Sequence, residues 1–161
     1  MPEMTLLGWF HTILGILAVL SGFYTICKFK VISYEVSPGK LYVLVTLLVA
    51  GSALGIYNQG GFGVAHVLAV LTLIALAGGY IMERFKWFGS FSKYFQALGY
   101  TSTLLFHMIP AITDFLRRLP VGDPFIDSFE DPLLLNFHMA FLIIYMLGII
   151  AQMIWLKRQV N

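Results

Sequence analysis

The chain has 161 residues, of which 59% are apolar and only 11% charged, with a net charge of +2 at pH 7. A soluble domain carries about 25% charged residues, so this composition excludes an ordinary soluble enzyme or nucleic-acid-binding domain and points to an integral membrane protein. The single cysteine, Cys27, excludes an intrachain disulfide and any cysteine-based metal cluster.

Apolar runs predict an all-α bundle of five transmembrane helices in a single domain, residues 1–161. The first run, 4–27, is uncharged from Met4 to Cys27. Nothing basic precedes it and it exceeds a signal peptide's apolar core, so it reads as a spanning helix. Within it Gly8, His11, Gly15, Ala18 and Gly22 follow the spacing 3, 4, 3, 4 and share one face, small residues around one titratable ring. The second span, 41–57, follows Ser37-Pro38-Gly39. It contains Gly51-Ser52-Ala53-Leu54-Gly55, a GxxxG pattern that favours close helix contact in a membrane. The turn Asn58-Gln59-Gly60-Gly61 is tight enough to make the third span, 62–82, its antiparallel neighbour. Spans 94–116 and 133–156 complete the set.

Five spans place the termini on opposite sides. One side collects Lys28, Lys30, Lys40, Arg84, Lys86, Lys93, Lys157 and Arg158 against Glu35 and Glu83. The other holds Arg117 and Arg118 with Glu3, Asp114, Asp123, Asp127, Glu130 and Asp131. The positive-inside rule then expects the N-terminus outside and the C-terminus in the cytoplasm, in a bacterial inner membrane. The stretch Arg84 to Lys93 mixes aromatics with cations. It reads as an interfacial belt, with an anionic-lipid or partner site as the functional counterpart. The acidic loop Leu119 to Pro132 is either simply solvated or a dock for a basic partner such as a periplasmic cytochrome.

Four histidines, His11, His66, His107 and His138, fall one each on spans one, three, four and five. At 1.5 Å per residue all four lie within roughly 6–14 Å of the outer boundary. Span four stacks Gly99, Thr103, His107 and Asp114 on one side, and span five repeats His138, Tyr145 and Gln152 every seven residues. His66 shares a side with Val70, Leu73 and Ala77, as ordinary packing does. Ionisable groups in hydrocarbon are functional candidates, and neutral imidazole is the commonest metal ligand; the plainer reading is that such rings hydrogen-bond helices together. An all-imidazole set suits haem iron or a Zn or Cu ion. For haem b, Gly8, Gly15, Ala18, Gly22 and Gly99 would give a porphyrin room against backbone, with Asp114 orienting His107 and with Tyr145 and Gln152 as outer-shell or quinone-contacting groups. The chain has no HExxH motif, which argues against a zincin protease.

The pattern His11-x-x-x-Gly15, then Gly39-Lys40-Leu41-Tyr42, then Gly63-Val64-Ala65-His66 resembles a family of small bacterial predicted membrane proteins of unknown function, over roughly residues 5–80. Where members of that family carry a His-Arg motif at the start of span two, this chain has Ser37-Pro38-Gly39-Lys40. In design it is also similar to membrane cytochromes of the b-type, small bundles with transmembrane axial histidines. The sequence thus sets out three expectations. The first is a b-type haem protein, a membrane oxidoreductase passing electrons to or from a quinone or periplasmic partner. The second is a Zn- or Cu-binding or transporting protein using His11, His66, His107 and His138. The third is a non-catalytic assembly factor or complex subunit, self-associating or not.

Overall fold

The computed structural model describes residues 5–57 and 61–159, so the turn residues Asn58, Gln59 and Gly60 lie outside it. It contains five α-helices and, among the described residues, no strand. They are α1 (Leu6–Phe29), α2 (Ser37–Ala53), α3 (Val64–Phe85), α4 (Ser92–Arg118) and α5 (Pro132–Arg158), with one 3-10 turn at Gly89–Phe91. Their ends carry local signals. The Thr5 hydroxyl caps α1 by accepting from the Gly8 N–H at 3.1 Å. Asp131 caps α5 through Leu133, with Pro132 in the first turn, where a missing N–H costs nothing.

The second helix begins four residues before the expected 41–57 span and ends at Ala53. Ser37-Pro38-Gly39 is therefore its first turn rather than its leader, because proline is pre-set for that position. Gly39 is needed there: a Cβ would run into the Ser33 carbonyl of the preceding loop. Gly55 falls beyond the helix and Gly51 faces open space, so the GxxxG pattern does not bring helices together within this chain.

Helices α1, α2, α3 and α4 form a ring, each packed on the next and α4 closing on α1, while α5 packs against α4 on the outside of the ring. The close crossing is between α3 and α4, where a Cβ on Gly99 would lie 2.7 Å from the Ala75 carbonyl and 2.9 Å from the Gly79 nitrogen. The buried face of α3 is His66, Ala69, Thr72, Leu76 and Gly79. Val70 and Ala77, expected to share it, point outward, because the buried stripe advances by about three residues per step as α3 crosses its neighbours.

Helices α1, α3 and α5 are each long and apolar enough to cross a bilayer. Helix α2 is apolar but has 17 residues. Helix α4 falls short in hydropathy for a physical reason: it touches α1, α3 and α5 and so turns little of its surface outward. It carries Tyr100, Thr101, Thr103 and His107 buried within the bundle. Large apolar side chains cover the outside, from Leu6 and Ile13 on α1 to Ile144 and Leu147 on α5, as a helix bundle immersed in lipid requires.

Candidate functional site

Helices α2 and α4 stand diagonally across the ring, and side chains rather than backbones bridge them. The centre is polar. Tyr42 and Thr46 on α2, and Tyr100 and Thr103 on α4, are completely buried. The Thr103 hydroxyl donates to the Tyr100 carbonyl at 2.7 Å. Its one proton is thereby committed, so the Tyr42 hydroxyl must be the donor in the 2.6 Å Tyr42–Thr103 bond. One turn along, the His107 Nε2 lies 3.1 Å from the Thr46 hydroxyl.

Towards the end of the bundle that bears the α1–α2 and α3–α4 loops, the Tyr100 phenol donates to the Glu83 carboxylate at 2.8 Å. Glu83 also accepts from the Ser33 hydroxyl and from the Tyr34 backbone N–H at 2.9 and 3.0 Å. A carboxylate at the margin of an apolar bundle needs such donors to stay charged. Among the described residues, it has no cationic partner within salt-bridge distance.

Towards the opposite end, His11 on α1 reaches α2. Its Nδ1 lies 3.1 Å from both the Val49 carbonyl and the Ser52 hydroxyl. A carbonyl can only accept, and the Ser52 hydroxyl donates to that same carbonyl at 2.9 Å. His11 therefore carries its proton on Nδ1 and, when neutral, has a free lone pair on Nε2.

The four histidines are thus separated into three places. His11 and His107 converge on the α2 face of the ring. His138 donates from Nε2 to the Thr113 hydroxyl at 3.2 Å, since Thr113 already donates to the Ile109 carbonyl. His66 sits at the start of α3, between the rings of Tyr57 and Phe62. Its Nδ1 accepts from the Gly63 N–H at 3.1 Å, so its neutral form holds the proton on Nε2, which is buried with no partner among the described residues. Among the described residues no three of His, Cys, Asp and Glu are grouped to hold a metal ion. A common height in the sequence did not imply a common azimuth around the bundle.

The expected outer-shell groups take other partners. Asp114 does not orient His107; it pairs with Arg118 at 3.5 Å, one turn on, with its side chain 61% exposed. Tyr145 donates to Ser102 at 2.7 Å, the Ser102 proton being committed to the Leu98 carbonyl. Gln152 accepts from Thr101 at 3.0 Å and donates to the Lys30 carbonyl at 2.8 Å. The heptad of His138, Tyr145 and Gln152 is therefore the seam that fastens α5 to α4.

Two of the glycines expected to give a porphyrin room are taken up by helix packing. The Tyr42 ring fills the space beside Gly22, 2.7 Å from where a Cβ would stand, and α3 backbone fills that beside Gly99. Only Gly15, of these three, faces open space.

The residues that make up the central column, Ser52, Thr46, Tyr42, Thr103, Tyr100 and Glu83, were not singled out by the sequence, apart from Thr103. A signal was there: Tyr42 and Thr46 are four apart, and Tyr100, Thr103 and His107 are spaced three and four. Glu83 looked like one of two acidic residues on a basic side. Comparison with family models, with curated proteins and with solved structures finds no match for this chain.

Proposed function

We propose that this chain is a five-span protein of a bacterial inner membrane, N-terminus outside, that passes protons along the axis of its helical ring. The observation that carries the reading is the series Tyr42, Thr103, Tyr100 and Glu83. They are hydroxyls and a carboxylate in contact through the bundle centre, with His107 and His11 beyond them. Buried ionisable groups in a membrane bundle are costly and mark proton or ion routes.

Imidazole suits the outer end because it takes a proton on one nitrogen and releases one from the other. Glu83 suits the inner end, where Ser33 and the Tyr34 N–H keep the carboxylate available as an acceptor. Between them the bonded series is interrupted: among the described residues no hydrogen bond carries it from Ser52 to Thr46 or from Thr46 to Tyr42, and further in it stops at the Tyr100 carbonyl and resumes at the phenol of the same residue. Transfer requires water to enter at these gaps, or the Tyr100 ring to swing at the innermost one, and the packed arrangement is the closed state.

The test is proton flux in liposomes carrying a pH dye, driven by a potassium diffusion potential. Wild-type protein should acidify the lumen faster than protein-free vesicles. Tyr42→Phe and Glu83→Gln should each slow the flux about tenfold or more, the loss of one hydrogen-bonded relay group. Flux equal to empty vesicles, or unchanged in Tyr42→Phe, overturns the reading.

Metal binding is a second reading, favoured by one observation. The Nδ1 proton of His11 is anchored on a backbone carbonyl, which leaves Nε2 free as ligating imidazoles require, while His107 meets the same helix α2 at Thr46. Elemental analysis of washed protein decides it. One zinc or copper per chain, lost in His11→Ala, supports a bis-imidazole ion; protein free of metal after incubation with either ion rejects it.

A further inference from the structure

At the loop end of the bundle a half-open recess of about 340 Å³ is lined by Tyr34, Glu35, Tyr80, Glu83, Arg84 and Lys86. Its aromatic wall is set, with Tyr34 and Tyr80 meeting edge to face at 5.4 Å and Lys40 lying over the Tyr34 ring. Among the described residues neither Arg84 nor Lys86 has a carboxylate within salt-bridge distance, and the Glu35 carboxylate likewise has no cation. Glu83 is already occupied by three donors. The recess therefore offers two free cations and one free anion side by side.

Its depth in the bilayer is marked by what adjoins it. Phe85, Trp87, Phe88 and Phe91, next in the chain, are all more than half exposed, the pattern of aromatic side chains lodged at headgroup level. A ligand held there is presented by the membrane itself. A purely anionic headgroup would meet Arg84 and Lys86 but also face two glutamates. A headgroup bearing a phosphate and a primary ammonium satisfies both signs, phosphate on Arg84 and Lys86 and ammonium on Glu35.

We propose that this recess is a binding site for the phosphoethanolamine headgroup of a phospholipid in the adjoining leaflet. Three hydrogens on the ammonium are what distinguish it: a trimethylated choline has none to donate to Glu35, and a glycerol headgroup has no positive charge.

The test is native mass spectrometry of the full chain in detergent, titrated with dioleoyl phosphatidylethanolamine, phosphatidylcholine or phosphatidylglycerol, and with free phosphoethanolamine. Phosphatidylethanolamine should be retained about tenfold better than either other lipid, and Arg84→Gln with Lys86→Gln should abolish that retention. Glu35→Gln should remove the preference over phosphatidylcholine while leaving phospholipid binding in place. All three residues are exposed, and an unchanged gel-filtration profile shows that the variants fold. Equal retention of the three lipids, or retention untouched in the double variant, overturns the site. Free phosphoethanolamine competing as well as the lipid overturns the membrane as its source.

Discussion

At the scale of single residues, glycine has opposite roles at two positions that the sequence treats alike. At Gly99 the α3 backbone lies where a side chain would begin, with the Ala75 carbonyl 2.7 Å and the Gly79 nitrogen 2.9 Å from a Cβ. Backbone cannot turn aside as a side-chain tip can. Gly99→Ala should therefore destabilise the fold by about 1–3 kcal/mol, the usual cost of overpacking. At Gly51, inside α2, nothing lies within 4 Å. Gly51→Ala should be neutral or raise stability by about 0.5–1 kcal/mol, because alanine loses less backbone entropy in a helix. Thermal unfolding of both variants in one detergent checks the pair, and a destabilised Gly51→Ala would mean that this surface is packed against something. Spacing alone could not tell these glycines apart, since GxxxG suggested contact at Gly51 and the contact is at Gly99.

At the scale of elements, α4 and α5 show how burial and hydropathy diverge inside a membrane bundle. Helix α5 is apolar nearly all round, and only Leu134, Gln152 and Leu156 of its residues are buried. Its apolar surface is turned outward, as in a helix suited to lipid, and three polar side chains at heptad spacing bond it to α4. Such interhelical bonds contribute on average only about 0.6 kcal/mol each, so their main effect is to set register. Helix α4 is the reverse: surrounded by helices, it gathers hydroxyls and an imidazole that would be costly facing lipid. At the loop end, long polar side chains reach backbone carbonyls at or just beyond helix ends: Lys93 donates to Leu156, Gln96 to Ile32 and Gln152 to Lys30. The first two clasps tie the ends of α5 and α1 to α4, and the third ties α5 to the end of α1.

At the scale of the whole molecule, the two ends of the bundle differ in charge. The loop end carries Lys28, Lys30, Lys40, Arg84, Lys86 and Lys93, and the other end the acidic 119–131 segment, folded back through Ile126 against Leu116 and Leu134. That asymmetry predicts sidedness. In a Cys27→Ser background, Asp123→Cys should react with a membrane-impermeant maleimide in intact spheroplasts, and Glu35→Cys only after permeabilisation; the opposite pattern would reverse the orientation and with it the direction assigned to the Glu83 end. The element pattern was legible from residues alone, with each helix end within about four residues of expectation. Apolar runs of membrane length have few alternatives once backbone groups must bond internally. What only the tertiary structure decided is the rotation of each helix about its own axis and the choice of neighbour. Those depend on close packing at sites such as Gly22 against Tyr42 and Gly79 against Gly99. That packing sent His138 and His66 to separate surroundings, left His11 and His107 on the α2 face, and placed tyrosine, threonine and Glu83 along the centre. A helix presents every azimuth with the same periodicity, and only the neighbour that arrives determines which of them is inside.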